Sequence, residues 1–370
     1  MEGPVPMSAQ PDLLYSEDEE ALRSAVRDLL TDHCDAASVL ARVESDEPHD
    51  RALWKNLAES MGLAGLLVPE ARGGQGATHR EVAVVLEELG RAVAPVPYLT
   101  SAVIATEALL GCDGDEAATL LAALASGRTV GALAVPLSAT PGRDFTDVRV
   151  EGGALTGRVT GVADAAVADV FLVPTQSGLF AVDAADVSVE PQTSFDRTRP
   201  LAAVTFEGAA GRLLADTAAP AVRRALRAGA GLLASEQLGG ADWLLTETVR
   251  YTRERNQFNR PVGSFQALKH RLAQLWLEVV NARAAARNAA DALATGSDDT
   301  DIAVAVAQAY VAPVAVRAAE EALQLHGGIG MTWEHPIHLY LKRAKSASIA
   351  LGSAGRHREE LAELVDLRAP

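Results

Sequence analysis

Cysteine is nearly absent. Only Cys34 and Cys112 occur in 370 residues, too far apart for a metal-binding pair or a disulfide framework. Both are expected as reduced thiols, which suits a cytoplasmic protein. Positive charge is also in short supply: 33 lysines and arginines stand against 49 acids, a formal charge of -16. A duplex binder needs a broad basic face, so nucleic acid is not expected as a partner. The N-terminal MEGPVPMSAQPDL lacks a basic start followed by an apolar run, so no secretory signal is read there. No stretch of membrane-spanning length is free of charge, so no membrane partner is expected. Aromatics make up only 4% of the chain, whereas alanine is abundant and favours helix. With 48% hydrophobic residues the chain can bury a sizeable core, and its length fits two or three domains.

The texture changes twice along the chain. After a loose tail over residues 1–13, Ser16 and Glu19 have capping-box spacing, and Leu22, Val26, Leu29 and Leu30 follow with helical periodicity. Further helices are predicted over Ala52 to Met61, His79 to Arg91, Thr100 to Leu110 and after Asp115, with a turn-rich VPEARGGQG at 68–76. From Val130 to Leu214 short β-branched runs dominate, among them VRV (148–150), LTGRV (155–159), VFLV (170–173) and AAVTF (202–206). These predict a small antiparallel β domain. Helical spacing returns near Pro220 and continues through Leu238, Leu245, Leu268 and Leu275. A helix from Ile302 to about His326 should kink at Pro313, and a last helix should span Arg356 to Val365. The expected order is a helical domain (1–127), a β domain (128–216) and a helical bundle (217–370).

Two turns stand out. In YTRERNQFNRPVGSFQ (251–266), Pro261 and Gly263 end a helix near Arg255 and expose Arg255, Asn256, Gln257 and Phe258. An arginine fork, an amide and a flat ring suit a pyrophosphate beside an aromatic ring system. The same residues also suit a solvated helix C-terminus whose positive charge offsets the helix dipole. In EALQLHGGIGMTWEHP (321–336), Gly327, Gly328 and Gly330 close a long helix. They read either as an ordinary glycine cap or as a close backbone approach to a ligand, with Gln324 as a polar contact. No dinucleotide fingerprint is present, because no strand precedes the glycines. His335 and His338 have no third ligand at a sensible spacing, so no metal is expected.

YTRERNQFNRPVGSFQALKHRLA (251–273) followed by QLHGGIGMTW (324–333) closely resembles the acyl-CoA dehydrogenase family. VPEARGGQG with LEELGR (86–91), and FDRTRPL (195–201), fit the same family in order along nearly the whole chain. The resemblance implies a mainly helical subunit with a central antiparallel β-barrel and a C-terminal four-helix bundle. It also implies FAD at a dimer interface, an acyl-CoA thioester substrate and an electron acceptor flavoprotein. Carried over by match, Arg255, Gln257 and Phe258 would contact the pyrophosphate of a neighbouring subunit's flavin. Gln324, Gly327, Gly328 and Gly330 would contact the same cofactor near its adenosine half. The positive turn would then neutralise FAD phosphates across an interface.

The family reaction needs a carboxylate to take the α-proton while a hydride passes from the β-carbon to the flavin. That base usually follows the C-terminal glycine turn. The matching segment KSASIALGS (345–353) has Leu351 there and no acid. Some members place it early in the first bundle helix, but LRAGAGL (226–232), centred on Gly229, has none either. Glu236, about two turns on, is the nearest carboxylate and reads as an ordinary exposed helix residue. The flavin-lining motif of the β domain is replaced by AVPLSATPGRD (134–144), and the expected tryptophan is missing from GRVTGVADAAVAD (157–169). No catalytic residue is therefore assigned. Contacts to the chain's own flavin look eroded, whereas contacts to a partner's flavin look intact. This implies a non-catalytic subunit paired with a paralogous subunit, as in two-gene actinobacterial assemblies, some of which act on steroid side-chain thioesters. The alternatives are a self-sufficient homomeric flavoenzyme with a relocated base and a flavin-free acyl-CoA-binding or scaffold protein.

Overall fold

The computed structural model describes residues 13–140 and 147–367. Residues 1–12 of the expected tail and residues 141–144 of the eroded motif lie outside them. The chain starts with helix α1 (Glu17–His33), α2 (Ala36–Glu44) and α3 (Arg51–Lys55). The Ser16–Glu19 capping box forms as spaced: Glu19 N–H donates to Ser16 Oγ at 3.1 Å, and Ser16 N–H donates to Glu19 Oε2 at 2.6 Å. Next come α4 (His79–Ala92), α5 (Thr106–Leu110) and α6 (Asp115–Ala125). Two of the predicted helices are only partly α-helical. Wider π turns occupy Asn56–Ser60 after α3 and Tyr98–Ala105 before α5. Periodicity predicts an apolar helix but does not resolve one extra residue per turn.

Eight strands follow: β1 (Gly131–Leu133), β2 (Val148–Glu151), β3 (Ala154–Ala163), β4 (Val170–Thr175), β5 (Gly178–Asp183), β6 (Ser188–Gln192), β7 (Leu201–Ala210) and β8 (Arg212–Ala215). They form two four-stranded sheets, ordered β1-β4-β5-β8 and β2-β3-β7-β6, instead of one closed barrel. Nor is the pairing wholly antiparallel, because β1 runs parallel to β4 with Gly131 opposite Val170. Leu155, Val159, Val204 and Phe206 of one sheet pack against Phe171, Val173 and Val182 of the other. The first sheet is apolar on both faces, since Leu172, Leu179 and Ala181 join the helical core behind it. That explains the unbroken run VFLV, which a half-exposed strand would have alternated.

The C-terminal region contains α7 (Ala219–Glu254), a short hairpin of β9 (Asn256–Gln257) and β10 (Arg260–Pro261), α8 (Gln266–Thr295), α9 (Thr300–His326), α10 (Ile337–Ala347) and α11 (Ala354–Leu364). Helix α9 continues through Pro313. It is long and apolar enough to cross a membrane by length and composition, but 61% of its most apolar window is buried inside the fold. The N-terminal and C-terminal helices share one core. Helices α4 and α7 touch backbone to backbone: a Cβ on Gly90 would lie 1.9 Å from Glu236 O, and one on Gly239 would lie 1.8 Å from Glu87 O.

Glu236 departs from its expected exposure. It is buried at 5%. Its carboxylate accepts from Arg199 Nη2 at 2.5 Å and from Arg343 Nη1 at 3.0 Å. Arg343 also reaches Asp196 at 3.0 Å and donates to the Thr198 carbonyl at 3.0 Å. This network binds the β6–β7 connection to α7 and α10. Burial alone would raise the Glu236 pKa, but the two guanidinium groups hold it below the ordinary carboxylate range. A second buried cluster joins His49 to Asp164 at 2.9 Å and Thr100 to Asp164 at 2.7 Å. Burial opposes ionisation of Asp164 too, and the His49 hydrogen bond with nearby positive charge overrides it.

Candidate functional site

The two turns singled out in the sequence meet at one groove. It has a volume of about 740 Å³ and is lined by Arg255, Gln257 and Phe258 from one side and Gln324, Gly327 and Gly328 from the other. Arg255 caps α7, and the chain then reverses through the β9–β10 hairpin, with Gln257 opposite Arg260. Its two-residue tip is Phe258–Asn259, with φ of 52° and 61°. Such a turn needs left-handed backbone at both positions and normally uses Asn–Gly. Phenylalanine there costs about 1–2 kcal/mol. The Phe258 ring is nevertheless 84% exposed and meets Phe265 edge-on at 6.0 Å. Arg260 covers the other ring at 3.8 Å. A strained backbone that displays an aromatic ring to solvent contributes nothing to the core. Arg255 is exposed and forms no ion pair with any described residue, although acids outnumber bases along the chain.

The opposite wall is backbone. Gly327 has φ 62° and ψ -136°, a conformation closed to side-chain-bearing residues. A Cβ built on Gly327 or Gly328 would meet nothing within 4 Å, so both positions keep peptide groups open to the groove. Gly330 behaves differently. It is buried outside the groove lining, and a Cβ there would lie 2.8 Å from Leu323 O, so its small size serves packing. Gln324 is exposed on the last turn of α9.

Sequence reasoning missed Tyr251 and His326, which also line the groove. Tyr251 precedes Arg255 by one helical turn, and that i, i+4 spacing was the available signal. The Tyr251 and His326 rings stack at 4.2 Å, and Tyr251 Oη donates to the His326 carbonyl at 3.3 Å. The ring of His335 stands 4.6 Å from that of His326. Burial lowers the pKa of both imidazoles, which keeps them neutral.

The two base positions, distant in sequence, adjoin in space. Leu351 is 1% exposed with φ 54°. A Cβ on Gly229 would lie 3.1 Å from Leu351 Cδ1 and 2.8 Å from Ile104 Cγ1. Leu351 N–H donates to the Leu137 carbonyl at 2.7 Å, which ties this segment directly to the stretch after β1. The meeting point is therefore apolar and closed. Glu236, the nearest acid in sequence to Gly229, is turned into the Arg199–Arg343 network.

The chain matches the family model "Acyl-CoA dehydrogenase, C-terminal domain" over residues 219–365 and "Acyl-CoA dehydrogenase, N-terminal domain" over residues 16–128. It is 36% identical over 354 residues to Acyl-CoA dehydrogenase IpdE2 of Mycolicibacterium smegmatis, covering 94% of this chain and 98% of that protein. Its fold is similar to the ChsE4–ChsE5 complex from Mycobacterium tuberculosis, with TM-score 0.87, 28% identity, and 97% and 100% of the two chains covered. It is also similar to the Tcur3481–Tcur3483 steroid ACAD, with TM-score 0.83, 30% identity, and 95% and 98% covered.

Proposed function

Because the chain belongs to the acyl-CoA dehydrogenase family, whose members are FAD-dependent oxidoreductases, we propose that it is the non-catalytic subunit of a heteromeric acyl-CoA dehydrogenase. The observation that carries this reading is a contrast between two sites. An open, exposed groove carries Arg255, which has no ion pair among the described residues, whereas the place where a base would act is filled by Leu351 and Ile104.

The residues present fit FAD. Among the described residues the groove offers the Arg255 guanidinium, which forms no ion pair, two amides and the open backbone at Gly327 and Gly328, while Arg271 in the same lining is held by Glu321. A pyrophosphate asks for such donors, and Phe258 offers a flat partner for a ring. Bound FAD supplies the hydride acceptor of the family reaction. In this reading Arg255 and Gln257 neutralise and orient the pyrophosphate, and Gln324 with the glycine turn positions the adenosine half. Residues 217–370 form the cofactor and subunit-interface domain. Gly330 holds the turn closed from behind. The α-proton is removed by a carboxylate of the paralogous catalytic subunit, since neither Leu351 nor Gly229 can accept one. The substrate is an acyl-CoA thioester, and an electron-transferring flavoprotein removes the electrons. Likeness to a steroid ACAD and to a two-component complex favours a steroid-bearing acyl group and a heteromer.

Visible spectra test this directly. The chain purified alone should be colourless. Co-expression with an adjacent paralogue carrying the missing glutamate should give a yellow complex that an acyl-CoA bleaches. Stoichiometric flavin in the chain alone, bleached by an acyl-CoA, would refute the subunit reading in favour of a self-sufficient enzyme. A complex with no flavin at all would favour a scaffold.

A further inference from the structure

At the edge of the groove, three potential ligands come together from separate elements: Glu247 of α7, the groove-lining His326 at the end of α9, and His335 in the segment leading to α10. One ligand atom from each lies within 4.8 Å of the others. We propose that these residues form a site for a zinc-class divalent cation that braces the end of α9 against α7.

His326 is 3% exposed. Its Nδ1 pairs with the Ala322 carbonyl at 2.7 Å, so that nitrogen carries the proton and Nε2 presents a lone pair. His326 Nε2 is buried and has no hydrogen-bond partner. A carbonyl on one ring nitrogen and a bare lone pair on the other is the arrangement of a metal-ligating histidine. His335 Nδ1 is also buried and unpartnered, while its Nε2 stands 3.8 Å from Glu247 Oε1, too far for a hydrogen bond. Ligands on a tetrahedral zinc at about 2.0–2.1 Å stand roughly 3.4 Å apart. Closing the cluster therefore needs a shift of about an ångström or more, which His335 can supply because it lies between helices. Both Glu247 oxygens accept from Arg250, Oε2 from Nε at 2.8 Å and Oε1 from Nη2 at 2.5 Å, so ligation through Oε1 has to displace Nη2 while Nε stays on Oε2. Arg250 has Glu254 as a second partner at 2.6 Å, so it can stay as the outer-shell donor that orients a ligating carboxylate. Two imidazoles and one carboxylate favour zinc over magnesium or calcium, which prefer oxygen alone, and leave one coordination position open. Because His326 directly precedes the Gly327–Gly328 wall, an occupied site would fix that wall relative to Tyr251 and Arg255.

The test needs no flavin and no partner. The full chain, stripped with a chelator, is titrated with Co²⁺ and followed by its visible d–d absorption, then with Zn²⁺ against a chromophoric chelator. One equivalent per chain is expected. Affinity should fall at least tenfold in His335→Gln and in Glu247→Gln, with circular dichroism unchanged. His338→Gln, outside the trio, should bind as the parent does. Failure to bind one equivalent, or binding that survives both His335→Gln and Glu247→Gln, would overturn the assignment.

Discussion

Placing a carboxylate back at Leu351 probes the functional argument most sharply. Leu351 is 1% exposed, and burying such a side chain contributes roughly 1.5–3 kcal/mol. A glutamate there would face Ile104 and the bare backbone of Gly229. An unpaired polar group in such an enclosure costs about 1–3 kcal/mol more. The expected loss for Leu351→Glu is thus roughly 2.5–6 kcal/mol, or a drop in thermal midpoint on the order of 10 °C. The new carboxyl would also be neutral at pH 7, because burial raises its pKa and Ile104 and Gly229 offer it no charged partner. It should therefore restore no chemistry to the chain alone. Thermal unfolding and anaerobic mixing with an acyl-CoA, read at the flavin bands, check both parts. A variant that binds flavin unaided and bleaches it would show that only the base was missing, and the subunit reading would fail. A variant as stable as its parent would show that the Leu351 segment opens freely, contrary to its bond to Leu137.

Other expectations follow from the same geometry. Arg255→Ala should weaken FAD retention by the complex by about 10–150-fold, the equivalent of one charged hydrogen bond at roughly 1.5–3 kcal/mol, measured as released flavin fluorescence. Unchanged retention would remove Arg255 from the site. Phe258→Gly should separate stability from binding: the left-handed turn relaxes and the chain becomes slightly more stable, while flavin retention falls. Glu236→Gln should cost about 3–5 kcal/mol at pH 7, because Arg199 and Arg343 would be left without their carboxylate. Glu236 and Asp164 have folded pKa values below their ordinary ones, so the unfolded chain binds more protons in acid. Stability should hold above about pH 4.5 and decline progressively below it, and denaturant midpoints between pH 7 and pH 3 measure this. A midpoint that does not fall in acid would contradict the buried carboxylates.

Local chemistry was legible in the sequence wherever neighbours along the chain decide the outcome. The Ser16–Glu19 box, the start of α4, the end of α7 and the β-branched strands formed where spacing and turn residues placed them. The two turn motifs meet at one groove, although Gly330 faces Leu323 and not the opening, and Tyr251 and His326 were not singled out. The sheet arrangement was less legible, because β1 pairs with β4 across a long stretch of chain and no local pattern encodes that parallel register. Residue chemistry also left exposure open. Glu236 on a helix resembles any surface glutamate until Arg199 and Arg343 arrive from other elements.

By itself, then, the sequence determined the order of helical and β-rich regions, the two turns and which positions carry no acid, but not helices α2 and α10. Tertiary structure alone decided that Arg255 and Gln324 share one groove, that Leu351 and Gly229 close on each other, and that Glu247, His326 and His335 converge. Helical and strand periods fix the face on which a side chain lies. What that face meets depends on packing with residues far away along the chain, and it is those meetings that set charge state, enclosure and access.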